Sequence, residues 1–214
     1  MSGRRPGRPR GAQQDPAERR ANLLSAAEDA IREHGPDVSM EQIAERADVS
    51  KATLYDNFDG KAGLTEALLE RYGLRLMASF AAAIDRPLAA RQVVTGGLGI
   101  FVRFIAEDPQ IYRFIVRHAD GEALSGEITR PIAALMRSVG VDEPVGLAHA
   151  TLGAVISATE WWSRRRQPDL EVFLEQLTAY VWGALAASGV ADDDRPVDLA
   201  AVAEALGAPA PTHA

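Results

Sequence analysis

Apolar residues recur along this chain at intervals of three and four, and no run shows sustained alternation of apolar and polar positions, so the pattern predicts helices and no strands. Leu23, Leu24, Ala27 and Ile31 mark the inner face of a helix from Pro16 or Ala17 to His34, stopped by Gly35-Pro36. A short helix follows Ser39, with Met40, Ile43, Ala44 and Ala47 on one side. After a break at Asp48-Val49-Ser50 a second short helix starts at Lys51, its inner face carrying Leu54 and Phe58. Asp59 then caps a long helix from about Gly60 to Ile84, with Leu64, Leu68, Tyr72, Leu76 and Phe80 near i, i+4 spacing and Arg86-Pro87 as its end. Further helices are predicted over Leu88–Glu107, Pro109–Ala119, Glu122–Val139, Glu143–Arg166 and Asp169–Ser188, and a last short one over Pro196–Leu206. The fold class is therefore all-α.

The two short helices carry the chemistry. Ser39 and Gln42 form a capping-box start, Asp48 tolerates a turn conformation, and the Ser50 hydroxyl caps the second helix. With Leu54 and Phe58 inward, Lys51, Thr53, Tyr55 and Asn57 point away from the core at a helix N-terminus. Such a helix suits the major groove of DNA, where its first residues meet base edges and flanking groups hold phosphates. Lys51 can donate to guanine N7 and O6; Thr53, Tyr55 and Asn57 can donate to phosphate oxygens, and Lys61 is placed at a phosphate too. Ser39, Ser50 and Ala52 complete the set assigned to the DNA surface.

The stretch IAERADVSKATLYDNFDGK resembles the DNA-binding signature of the TetR family. The matches are Ile43, Ala44, Ala47, Val49, Ser50, Thr53, Leu54, Tyr55, Phe58 and Lys61. Asp48 stands where the family usually has Gly, and Asn57 where it often has His or Tyr. Asp can adopt the left-handed conformation, and Asn keeps a donor for phosphate.

Composition sets outer limits. The 214 residues are 47% apolar, enough for two domains with real cores. There is no cysteine, which suits a reducing cytoplasm, and no apolar run long enough for a membrane span or a signal peptide. The net charge of -7 is unevenly spread: residues 1–20 hold six arginines against Asp15 and Glu18, a local +4, so the rest carries -11. Residues 1–15 read as a disordered basic arm, and Gly7-Arg8-Pro9 resembles the core of an AT-hook, placing Arg8 and Arg10 in a narrow minor groove. A solvated tail is the alternative.

The expected organisation is this arm, a three-helix helix-turn-helix domain over 16–61, a larger helical effector-binding and dimerisation domain over 62–190, and a tail over 191–214. The last long helix pair is the expected homodimer surface, through Leu147, Thr151, Val155 and Trp162 on one helix and Phe173, Leu177, Val181 and Leu185 on the other. The resemblance implies the same pairing. It also implies a small-molecule pocket, for which Met77, Phe80, Phe101, Phe104, Ile105, Tyr112, Ile115, Met136, Thr159 and Trp161 offer a suitable mix of groups. All of these could equally be packing residues. Gly96-Gly97-Leu98-Gly99 inside an apolar helix leaves space or a bend, but it lacks the strand and third glycine of a dinucleotide fingerprint.

No catalytic motif is present, and His34, His118, His149 and His213 are scattered without ligand spacing, so no enzyme, cofactor or metal is expected. The sequence thus points to a cytoplasmic, dimeric transcriptional regulator, a repressor that binds double-stranded DNA and is released from a palindromic operator by a small, largely apolar effector. A DNA-organising protein without an effector, or an all-α enzyme on a borrowed scaffold, are the other readings.

Overall fold

The computed structural model describes residues 15–83, 88–191, 196 and 197, with backbone alone for 121–125 and 127. Among the described residues the helices are α1 (Pro16–His34), α2 (Met40–Arg46), α3 (Lys51–Phe58), α4 (Gly60–Ala83), α5 (Ala90–Glu107), α6 (Pro109–His118), α7 (Gly121–Ser138), α8 (Val145–Arg165) and α9 (Leu170–Ala187). No helix there is long and apolar enough to cross a membrane. The arm with Arg8 and Arg10, and all of the expected last helix beyond Val197, lie outside the described residues.

Local chemistry explains the boundaries. Asp15 accepts from Ala17 N at 3.1 Å, and Pro16 follows at the first helical position, where its missing N–H costs nothing. The helix after Pro87 starts at Ala90, two residues later than the pattern predicts. The Leu88 carbonyl is taken by Val197 N at 2.9 Å, and Ala89 bridges Pro196, so this pair is extended and Pro196–Val197 is not helical. α8 likewise begins at Val145, not Glu143, because Glu143 has φ 47° and Pro144 follows it.

The side chains bury into two clusters. The first joins Leu24, Ile31, Ile43, Leu54 and Phe58 of the first three helices to Leu64, Leu68 and Tyr72 of α4 and to Ile111, Phe114 and Ile115 of α6. The second lies among α5, α7, α8 and α9, around Val102, Met136, Val155, Trp162, Phe173 and Trp182. The first core therefore runs past Lys61 and takes in one helix from far along the chain.

The corner between α3 and α4 depends on two left-handed residues, Asp59 (φ 51°) and Gly60 (φ 84°). Asp59 ends α3, its N–H donating to the Tyr55 carbonyl at 2.8 Å. Gly63 is equally constrained: a Cβ there would stand 1.8 Å from the Phe58 carbonyl oxygen. Gly63→Ala must push the two helices apart, with an expected cost of about 1–3 kcal/mol. Gly73, on the same helix with open space around it, is the control. Gly73→Ala should leave stability unchanged or raise it by about 0.5–1 kcal/mol. Thermal melts of the two variants check this; equal melting points would show that the corner relaxes freely.

Candidate nucleic-acid interface

The helix-turn-helix is built by caps and one turn. Ser39 Oγ accepts from Gln42 N at 3.2 Å, and Gln42 Oε1 accepts from Ser39 N at 2.8 Å, closing the capping box. Asp48 takes φ 53° at the turn, and Val49 N bonds back to the Ala44 carbonyl at 3.0 Å. Ser50 then accepts from Thr53 N at 3.1 Å and starts α3. A left-handed aspartate thus serves where glycine would otherwise stand.

Lys51, Ala52 and Tyr55 are exposed on the outer side of α3, Tyr55 at 43%. The polar residues beside them are less free than the pattern predicts. Asn57 is half-buried and donates to the Thr53 carbonyl at 2.7 Å, so one of its two protons is committed within the helix. Thr53 Oγ1 lies 2.9 Å from Ser50 Oγ. Lys61 turns toward α6, its Nζ 5.5 Å from the Phe114 ring centroid.

Lys51 itself is ion-paired with Glu41 of α2, a residue that no sequence pattern singles out, since the two are ten positions apart on different helices. Their mutual hydrogen bond holds the Glu41 carboxyl below its ordinary value and raises Lys51. Lys51 also sits 5.6 Å over the Tyr55 ring. A base contact must draw Lys51 out of this pair. Lys51→Ala is therefore expected to lose about 1–3 kcal/mol on the cognate site and to relax preference at one position per half-site. Glu41→Gln should tighten binding to every sequence, and Tyr55→Phe should weaken all sequences alike. Titrations on cognate and random duplexes decide; equal losses on both for Lys51→Ala would remove its reading role.

Charge on the three-helix segment as a whole is unfavourable for DNA. Residues 16–61 carry ten carboxylates against six Lys and Arg. Arg32 and Arg46 are tied to Asp108 and Asp29, and Arg20 lies 5.0 Å over the Phe58 ring. An open groove of about 550 Å³ beside α3 is lined by Arg20 but also by Asp56, Asp59, Glu66 and Glu70.

The family model "Bacterial regulatory proteins, tetR family" matches residues 23–68, from within α1 through α2, α3 and the corner just described into α4. An HTH-type transcriptional regulator of Mycobacterium tuberculosis is 30% identical over 197 residues, covering 84% of this chain and 82% of that protein. The chain belongs to the TetR family. It is a DNA-binding transcriptional regulator. The HTH-type transcriptional activator FasR of Mycolicibacterium smegmatis is 29% identical over 185 residues, 78% of this chain and 83% of its own length. Among solved structures, a TetR-like transcriptional regulator from Rhodococcus superposes with a TM-score of 0.62 at 25% identity, covering 79% of this chain and 97% of its own.

In this TetR-family protein the DNA-reading head is bolted to the rest at both ends of α6. At the N-terminal end Arg32 of α1 donates through Nε and Nη2 to the two oxygens of Asp108 at 2.8 and 2.9 Å. Tyr72 of α4 accepts from Arg32 Nη2 at 3.1 Å and donates to Asp108 at 3.0 Å. This fork-on-carboxylate geometry is the strong form of an ion pair. The Arg32 guanidinium holds the Asp108 carboxyl low, and burial pushes the Tyr72 phenol up to about 12. At the other end His118 Nε2 lies 3.1 Å from the Pro36 carbonyl, and Arg117 pairs with Asp37 at 2.8 Å. Burial holds the His118 imidazole below its ordinary value, which favours the neutral ring that donates here.

The residues expected around one effector pocket are dispersed. Trp161 is 46% exposed with Arg165 5.0 Å over its ring, because it lies on the outer side of α8. Ile115 is part of the core under the head, and Phe104 packs against that same core. Phe101 and Met136 belong to the second core, and half-buried Phe80 faces Gly97 across α4 and α5. Met77 is half-buried on α4. Ile105, Tyr112 and Thr159 remain as interior groups of α5, α6 and α8.

Most of the residues expected at a dimer surface are turned inward. Val155, Trp162, Phe173, Leu177, Val181 and Leu185 are buried in the protomer's own second core, where Trp162 stacks on Phe173 at 5.4 Å. Each keeps 5% of its surface or less in the single chain, so little of it is left to meet a second one. Leu147 and Thr151 are half-buried. The outward faces carry Gly146, Ala150, Gly153, Ser157 and Trp161 on α8, and Val172, Ala179, Tyr180 and Gly183 on α9. Tyr180 is 64% exposed, and a Cβ on Gly146, Gly153 or Gly183 would meet nothing within 4 Å.

Proposed function

We propose that this regulator works as a homodimer on a two-half-site operator in the cytoplasm, and that a small, largely apolar effector releases it, in the sense of a repressor. The observation that carries the effector reading is the place of α6 in the core beneath the head: whatever shifts α6 shifts Ile111, Phe114 and Ile115 against α1 and α4. α4 adds a second lever, since Lys61 and Leu76 are fifteen residues or about 22 Å apart along one helix. Residues 16–61 then act as the head and 62–190 as the effector-binding and dimerising part. Small motions of this kind change the separation of two heads that must fit half-sites about 34 Å apart.

The dimer reading is supported by the outward faces of α8 and α9, whose small residues allow close helix approach and whose large apolar groups stand in the open. Gly153→Arg with Tyr180→Asp should give a monomer by light scattering and weaken operator binding by about tenfold or more. A variant that stays dimeric would place the interface elsewhere.

The test of the whole reading is reciprocal. A ligand that releases the operator must bind the operator complex more weakly by the same factor, typically about 5- to 150-fold or 1–3 kcal/mol. A footprint upstream of the gene, with and without a small-molecule extract, locates the sites. Ligand-insensitive protection of many dispersed sites would support the organiser instead. FasR, a relative, is named as an activator, so the sign of regulation needs its own test. Protection overlapping the promoter start favours repression; protection upstream of it favours activation.

A further inference from the structure

Polar atoms buried without partners are uncommon, because each forgoes a hydrogen bond it had in water. Four such atoms lie on α6 and α8: Gln110 Oε1, Tyr112 OH, Arg113 Nε and Thr159 Oγ1. The two helices meet here, since Arg113 Nη2 donates to Ser163 Oγ at 3.0 Å, and Ser163 is one turn from Thr159 on the same face of α8. Thr159 is 0% exposed. Among the described residues Arg113 forms no ion pair with a carboxylate. Leu152 lies two turns before Thr159 along α8, and Leu152, Ile105 of α5 and Ala134 of α7 are buried yet join neither core.

We propose that this seam between α6 and α8 is the site for the head group of an amphiphilic monocarboxylate, with Arg113, Tyr112 and Thr159 as its donors and Ile105, Ala134 and Leu152 toward its apolar tail. The proposal rests on the effector reading and deepens it. Three of the four unpartnered atoms can donate, and one belongs to a guanidinium, the group best matched to a carboxylate. Burial, with Glu160 adding to it, pushes the Tyr112 phenol up to about 12, so it keeps its proton as a donor. Glu160 does not repel such a ligand strongly, because its carboxylate is paired with Arg164. The head group would pull on α6 midway between its two attachments to the DNA-reading head.

The probes are straight-chain monocarboxylates and the alcohols of matching length, titrated into the full chain by thermal shift and calorimetry. Carboxylates should stabilise the protein and alcohols should not. Arg113→Gln should weaken carboxylate binding by about tenfold or more, the scale of one charge-assisted hydrogen bond. Thr159→Val, which keeps the shape and removes the unpartnered hydroxyl, should weaken it too while leaving the unliganded melting point unchanged or higher. Equal stabilisation by acids and alcohols, full response in both variants, or no response to either series would each overturn the proposal. The effector reading would survive any of these, since it fails only if an extract leaves operator protection intact.

Discussion

Deleting residues 2–11 should weaken operator binding by about a hundredfold or more at moderate salt and flatten its salt dependence, by up to about 0.9 in slope for each phosphate that the arm neutralises. The deletion removes Arg4, Arg5, Arg8 and Arg10 from the chain. The effect is large because the head offers little attraction of its own. Its ten carboxylates outnumber its six Lys and Arg, Arg32 and Arg46 are held in ion pairs, and Lys51 must first leave Glu41. An acidic body also repels DNA at a distance, which leaves the arm as the local source of positive potential. Preference among bases read by α3 should survive the deletion, because major-groove contacts set it. Replacing the four arginines by lysine separates charge from shape: the salt slope should persist, while any preference for A·T-rich flanks should fade if the guanidinium groups enter a narrow minor groove. An unchanged salt slope in the deletion would make the arm a bystander.

What the sequence revealed and what it hid divide by distance along the chain. Ser39 with Gln42, Asp48 at the turn and Ser50 before α3 are local devices, each acting within a few residues, and all take the predicted conformation. The long helices follow from periodicity for the same reason. On α8 and α9 periodicity marks the core of the single chain. A stripe of large apolar residues at spacings of three and four marks whichever face is buried, and here Phe173, Leu177, Val181 and Leu185 are buried at home. The outward face is written in small residues with Trp161 and Tyr180, a weaker signal. Trp161 and Trp162 show the limit: adjacent in sequence, they point about 100° apart on a helix, one outside and the other stacked in the core. The Arg32–Asp108 clamp spans 76 positions, and Asp108-Pro109 reads in sequence only as a helix stop. The unpartnered atoms along α6 and α8 are equally a product of tertiary packing, which neither composition nor spacing records.

That clamp carries the other large effect. Asp108→Ala removes the acceptor of three hydrogen bonds, leaving Arg32 with Glu28 and Asp29 and leaving the buried Tyr72 hydroxyl with only the Arg32 donor. Breaking a fully buried pair costs about 3–5 kcal/mol; with Arg32 40% and Asp108 19% exposed at the side chain, about 2–3 kcal/mol is the scale expected. For a chain of this size that is about 4–12 °C in melting temperature. Asp108→Asn keeps the shape and should lose less. The pH profile identifies the cause. Asp108 is depressed in the fold, so its contribution is present above the unfolded value near 4 and is lost as pH falls through the lower folded value. Tyr72 is raised to about 12, so its contribution is full below the unfolded value of about 10 and is lost as pH rises from there toward 12. Tyr72→Phe should therefore flatten the alkaline limb of stability between about pH 10 and 12 while keeping the acid limb. If α6 transmits the effector signal through this attachment, Asp108→Ala should also blunt release by ligand while unliganded operator binding stays within a few-fold. Intact release with the clamp removed would assign transmission to α4 and to the apolar contacts of Phe114 and Ile115 instead.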